Sequence, residues 1–568
     1  YYLTMMDSWL YDETKPFIHI EAGDTFDELK KDARNGYFEK LIKEYLLDNN
    51  HKSIISLVPE YGLEKEKEQK EADKLAEYKR TLTNDELEEL VKKTKELKEY
   101  QDAPSSQEEL EKIPMLELSD IKREPAKDYN DVKSVDGIKI VHHNIFTNKI
   151  AYINMSFDTK CVPDELIPYM GLLGSTLSLM DTKNYTYPEL TNEININCGG
   201  LATGTALYSD KVDFSKNTIV YEVKSKALYE KVPFVLGMME EIMYNTRFDD
   251  YKRLKEIIAR IKSRLEASLM GQGHSIAMLE CCAQFSESAY YSDILRGYKY
   301  YEFIKKLDEE FEQNKTQIVD KLNKLVGYIF NKDNVIVSLT ADDEGYDCFV
   351  KALSAKSCNI KDEHYNTAVR SFIPVNVKTG YTSASQVQYV ARCGNFVKDG
   401  YKYTGALKVL KVIFSYDYLW INVRVKGGAY GCMSGSSRNG DFYMVSYRDP
   451  NLEKTNDIYE GAADYIRNFN VSRRDMVKFI IGTIGEIDAP LTPSAIGSRS
   501  FTHYMCNCTE DMLRKDREEV LDATVESIRE LAPLIESAVG QNYFCVVGNQ
   551  KQVNEAADLF DEIKPLIG

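Results

Sequence analysis

A long-period repeat constrains this chain more than any other feature of its sequence. Gly199-Gly200 and Gly427-Gly428 each follow a helical stretch and precede a strand-like one. Short apolar segments recur as well: Ser53-Ile54-Ile55-Ser56-Leu57, Val335-Ile336-Val337-Ser338-Leu339 and Tyr543-Phe544-Cys545-Val546-Val547. The stretches before the first two, Leu41 to Leu46 and Leu322 to Val326, have apolar spacing near 3.6, so each unit is expected to end helix then strand. The last two endings and the two glycine pairs are separated by similar distances. The chain therefore reads as two homologous α/β domains in tandem, at 125–350 and 370–568, joined by a connector at 351–369. The first ending, near residue 57, has no glycine pair upstream, which makes 1–60 the expected C-terminal remnant of a preceding α/β domain. A length of 568 residues agrees with about three or four such units.

Residues 61–124 have a different texture. Glu and Lys crowd 63–100, with Leu75, Ala76, Leu87, Leu90, Val91 and Leu97 at helical spacing. Thr83 and Glu86 form a capping box that starts a second helix, and Ala103-Pro104-Ser105-Ser106 ends it. An antiparallel helical hairpin is predicted, with a solvated charged linker as the other reading. In the 125–350 domain, Leu166 to Met180 reads as helix, and a second helix starts at Thr186 with Glu189 as its box partner. A strand then runs from Leu201 to Tyr208. In the last domain Thr404 is expected to cap a helix reaching about Lys426, although Ile421-Asn422-Val423-Arg424-Val425 also alternates like a strand. Asn439-Gly440 marks a hairpin turn into Phe442 to Ser446. The fold class is α/β (α+β): tandem homologous domains with antiparallel-rich sheets flanked by helices, preceded by the helical hairpin linker.

Composition excludes some functions. Lys and Arg number 72 against 90 Asp and Glu, a net charge of −18, so the basic footprint of nucleic-acid binding is missing. No apolar run reaches the length of a membrane span, and no membrane association is expected. The 11 cysteines are scattered without a Cys-x-x-Cys, which suits reduced thiols, a cytoplasmic location or, as the alternative, an organelle matrix. No self-sufficient catalytic signature is present: no His-Glu-x-x-His, His-x-x-Glu-His, Gly-x-Ser-x-Gly or Walker loop. His142 and His143 are adjacent on a strand and point to opposite faces, and Cys506 and Cys508 lack further ligands, so no metal site is expected in this chain.

What remains is Arg424-Val425-Lys426-Gly427-Gly428-Ala429-Tyr430-Gly431. A guanidinium in the last helical turn and a phenol at the start of the next strand, joined by a glycine turn, are expected to face one cleft as hydrogen-bond donors. The other copy has Ile196 and Ala202 at the matching places, so the polar pair occurs once.

This string resembles the motif in the last domain of the insulinase (pitrilysin) superfamily of zinc peptidases, and its Arg-to-Tyr spacing is similar to that of the presequence-protease branch. The resemblance implies two bowl-shaped halves, each of two homologous domains, that enclose a chamber and are linked by the charged hairpin. It makes this chain the C-terminal half of a zinc metalloendopeptidase that degrades short unstructured peptides. Zn is then bound by an N-terminal half of the same polypeptide, absent from this sequence, and the chain alone is inactive. By the same resemblance Tyr430 donates to the scissile carbonyl and its oxyanion, Arg424 anchors that peptide segment, and Gly427 and Gly428 shape the turn. The expected partners are a peptide substrate and the N-terminal half. The alternatives are a non-catalytic structural or peptide-binding subunit of the same superfamily and a docking module built on the charged helices.

Overall fold

A computed structural model describes residues 2–58, 60–103, 105–356 and 359–567. Pro104, in the predicted hairpin ending, and residues 357–358 of the predicted connector lie outside the described residues. Two units are distinguished, Tyr1–Pro114 and Met115–Gly568.

In the first unit the charged segment forms two helices, Leu63–Thr81 and Asn84–Asp102. The second starts on the expected box: the Glu86 N–H donates to the Thr83 hydroxyl, and the Glu86 carboxylate accepts from the Thr83 N–H at 2.8 Å. Leu75, Leu90, Val91 and Leu97 stay exposed, so these apolar positions are not closed into a core within the unit. The strand expected at Ser53–Leu57 is corrected. That segment forms no strand, and Ile54, Ile55 and Leu57 are exposed, because a strand exists only through ladder partners and none of the described residues supplies them.

In the second unit alternation has selected two six-stranded sheets. The first holds β1 (Asp131–Val135), β2 (Ile138–Asn144), β3 (Ile150–Asp158), β4 (Leu201–Ser209), β5 (Asn217–Leu228) and β6 (Val335–Ala341). The second holds β7 (Thr379–Ser383), β8 (Tyr389–Asn395), β9 (Gly431–Ser436), β10 (Asp441–Tyr447), β11 (Tyr543–Asn549) and β12 (Glu562–Pro565). Their orders are β1-β2-β6-β3-β5-β4 and β12-β7-β11-β8-β10-β9. Without the edge strands β1 and β12 the two orders coincide, with β2/β6 and β7/β11 parallel and the remaining pairs antiparallel. One face of each sheet packs on its own helices. Ile153, Met155, Val223, Val337 and Leu339 enter the first core, and Val390, Phe442, Met444 and Val546 enter the second.

The opposite faces are covered by exchange. A helix between β5 and β6, Gly273–Ala283, packs on β8, β10 and β11 of the second sheet. A helix between β10 and β11, Pro493–Met505, packs on β2 and β6 of the first. Close approach explains a glycine in the latter: a Cβ at Gly497 would come within 1.8 Å of Thr340 Oγ1 on β6. Gly497→Ala is therefore expected to lift this helix and lower stability by about 1–3 kcal/mol. Chemical denaturation checks this, and an unchanged midpoint would contradict the seating described.

Candidate functional site

The glycine turn of the second sheet is built by the helix before it. Ala406–Ile413 continues through wider π turns over Phe414–Tyr418 and Trp420–Val425. The alternating run Ile421 to Val425 is thus helical, with Val423 buried in the core. Thr404 is not the N-cap. Gly405 holds that position, and the Thr404 hydroxyl donates to Glu519 while accepting from the Ala406 N–H. The helix closes by reversed bonds, Gly428 N–H to the Arg424 carbonyl at 2.8 Å and Ala429 N–H to the Val423 carbonyl at 3.1 Å. Gly428 takes φ of +85°, and a Cβ at Gly427 would lie 2.3 Å from the Val423 carbonyl oxygen, so both positions require glycine.

This turn brings the pair together. The Arg424 guanidinium lies 4.1 Å from the Trp420 ring centroid and 5.6 Å from that of Tyr430, a stack that leaves its edge N–H groups free to donate. The Tyr430 ring meets Tyr447 edge to face at 5.8 Å, and its backbone N–H donates to the Arg448 carbonyl. Tyr430 is 66% exposed and Arg424 is half-buried. Among the described residues neither side chain has a hydrogen-bond or ion-pair partner, so both donors are available to a ligand. The nearby Cys432 thiol is pushed up to about 11 by burial, with Arg424 opposing the shift, and stays protonated at neutral pH.

Sequence reasoning missed what stands behind Tyr430. Tyr447 is flanked by His274 at 4.8 Å and Tyr389 at 5.7 Å. His274 comes from the exchanged helix, and burial holds its pKa below the ordinary value. Arg448, at φ of +48°, lies 5.5 Å from the Tyr447 ring centroid. No local pattern joins His274 to a motif so far along the chain; only the helix exchange does. The remaining candidates are structural. His143 contacts the Tyr129 carbonyl and the Ser338 hydroxyl, while His142 contacts the Ala341 carbonyl and stacks on Tyr346. Cys506 is buried and Cys508 half-buried, both as free thiols.

A peptidase zinc site needs a nitrogen-rich ligand set with one open position and a base beside it. Among the described residues, Asp333, Asp362 and His364 bring three ligand atoms within 4.8 Å of one another, and all three are exposed. His364 already contacts Asp333 at 2.5 Å. Two carboxylates and one ion-paired imidazole on the surface do not fit that site.

Comparison with known proteins gives two family matches: the associated domain of the peptidase M16 family, subfamily C, over residues 57–307, and the PreP C-terminal domain over residues 380–549. Protein HypA of Clostridium perfringens is 39% identical over 572 residues, covering 100% of this chain and 58% of its own length. Presequence protease 1, chloroplastic/mitochondrial, of Arabidopsis thaliana is 29% identical over 577 residues, covering 99% of this chain and 53% of its own length. The chain spans little more than half the length of these curated relatives. Among solved structures, a peptidase M16 inactive domain from Pseudomonas fluorescens superposes with a TM-score of 0.52 at 15% identity, covering 77% of this chain and 98% of that one. That likeness bears on the fold alone.

Proposed function

Because the chain belongs to the M16 peptidases and carries the C-terminal domains of their presequence-protease type, we propose that it is the substrate-binding half of a zinc metalloendopeptidase that degrades short unstructured peptides in an enclosed chamber. The observation that carries this reading is the placement of Arg424 and Tyr430: side by side on one glycine turn, open to solvent, with no partner among the described residues. The phenol donates to the scissile carbonyl and strengthens that bond as negative charge develops on the oxygen. One such preorganised donor is worth about 3 kcal/mol of transition-state stabilisation. Arg424, fixed against Trp420, anchors a neighbouring carbonyl of the same peptide. Zinc supplies Lewis-acid activation in domains outside this chain. The exposed apolar residues of the first unit, Ile54 and Leu57 among them, are surfaces that those domains cover.

The test is reconstitution. This chain alone is expected to cleave no peptide, and mixing it with the zinc-bearing half of the same polypeptide is expected to give turnover. Cleavage by this chain alone, or full turnover by the zinc-bearing half without it, would overturn the reading. Stable assembly without turnover would favour the non-catalytic subunit.

A further inference from the structure

The turn at Gly199-Gly200, the counterpart of the Arg424/Tyr430 turn in the repeat, borders a cavity that the peptidase reading leaves unused. Register places its walls. Tyr152 on β3 lies opposite Lys226 on β5, and Asn154 lies opposite Lys224. Tyr152 also faces Thr340 on β6, and Asn154 faces Ser338. Residues directly opposite in a ladder project to the same side, so these six share the polar face of the first sheet, away from its core. The exchanged helix Pro493–Met505 lies across that face, and between helix and sheet a cavity of about 410 Å³ remains.

The charges on this face do not cancel. Glu222 is 5% exposed and fully engaged: it accepts from Asn154 Nδ2 at 2.8 Å and Tyr208 Oη at 3.0 Å, and pairs with Lys224 Nζ at 2.5 Å. Lys224 thereby neutralises Glu222. Lys226 has no such counterpart. Its stem lies along Gly199, where a Cβ would come within 2.7 Å of Lys226 Cε, and its ammonium has no acceptor among the described residues. The helix wall facing it carries Ser494, Ser498 and Thr502, hydroxyls without a formal charge. The cavity thus holds one uncompensated positive charge among hydroxyl donors, which matches a single carboxylate; a dianion would bring surplus charge into it.

We infer that this cavity is a carboxylate subsite, with Lys226 as its anchoring cation, that binds an acidic side chain or the C-terminal carboxylate of a peptide held by this chain. The identity of the ligand as a peptide rests on the function proposed above. The contrast between the two copies follows from their residues: one glycine turn presents neutral-carbonyl donors on Arg424 and Tyr430, and the other, with Ile196 and Ala202 in their places, adjoins an anion pocket.

The experiment measures binding of three fluorescent decapeptides of one neutral sequence to this chain. One has a free C-terminus, one a C-terminal amide, and one the amide with a single internal Glu. Wild type is expected to bind at least one carboxylate-bearing peptide about tenfold more tightly than the neutral amide, and whichever peptide gains identifies the carboxylate source. Lys226→Met is expected to erase that preference, Lys226→Arg to keep it, and Tyr430→Phe to leave it unchanged. Equal binding of all three peptides by wild type, or a preference that survives Lys226→Met, would overturn the subsite alone. Carboxylate preference in a chain that never supports turnover would overturn the peptidase reading alone. No binding of any peptide would overturn both.

Discussion

Tyr430→Phe in the assembled peptidase is expected to lower kcat by about 10²–10³-fold while KM changes little, because the lost bond matters most when the carbonyl oxygen carries charge. Stability should be unaffected. The phenol has no internal partner, the ring is 66% exposed, and its edge-to-face contact with Tyr447 survives removal of the hydroxyl. Steady-state kinetics on a neutral peptide, alongside a thermal melt, separates these effects. Unchanged kcat would remove the role given to the phenol, and a large fall in melting temperature would make it structural.

The second large effect concerns the helix exchange. Glu280, on the exchanged helix Gly273–Ala283, accepts a 2.6 Å bond from the Tyr381 hydroxyl on β7. Burial, with the Asp293 carboxyl beside it, pushes the Glu280 pKa from 4.5 up to about 8. A carboxyl whose pKa is raised by folding binds protons more readily in the native state. Its contribution to stability is therefore complete below about pH 4.5 and is lost as pH rises through about 8. Glu280→Gln keeps an acceptor for Tyr381 and removes the titration. The variant is expected to melt well above wild type at pH 9, by a margin worth on the order of 3–5 kcal/mol, and to lie close to it at pH 5. Parallel melting curves for the two proteins across this range would contradict a buried Glu280 at the sheet-to-helix contact.

Features specified by neighbours in sequence were legible without the structure. The boxes at Thr83/Glu86 and Thr186/Glu189 need only four residues each, and the Asn439-Gly440 turn needs two. Both glycine pairs are set by the chain reversal that follows a helix. The pairing of Arg424 with Tyr430 was readable because the repeat supplied an internal control with Ile196 and Ala202. What depends on distant partners was not readable. Ser53–Leu57 has the composition of a strand, yet no described residue pairs with it. The run Ile421 to Val425 alternates like a strand, but π turns carry the helix through it and put Val423 in the core. The two exchanged helices carry apolar residues that fit any core, and nothing local says that each covers the other sheet. Lys224 and Lys226 read as an ordinary solvated strand face. Only the helix placed across them turns that face into a cavity wall.

The most direct test is a structure of the complete peptidase, disarmed by removal of its general base, with a peptide bound in the chamber. The phenolic oxygen of Tyr430 is predicted to lie about 2.7–3.1 Å from the carbonyl oxygen of the bond at the zinc, with Arg424 contacting the same peptide segment. A bound peptide at the zinc with both side chains turned to the outer surface, or separated from it by other residues, would contradict the account.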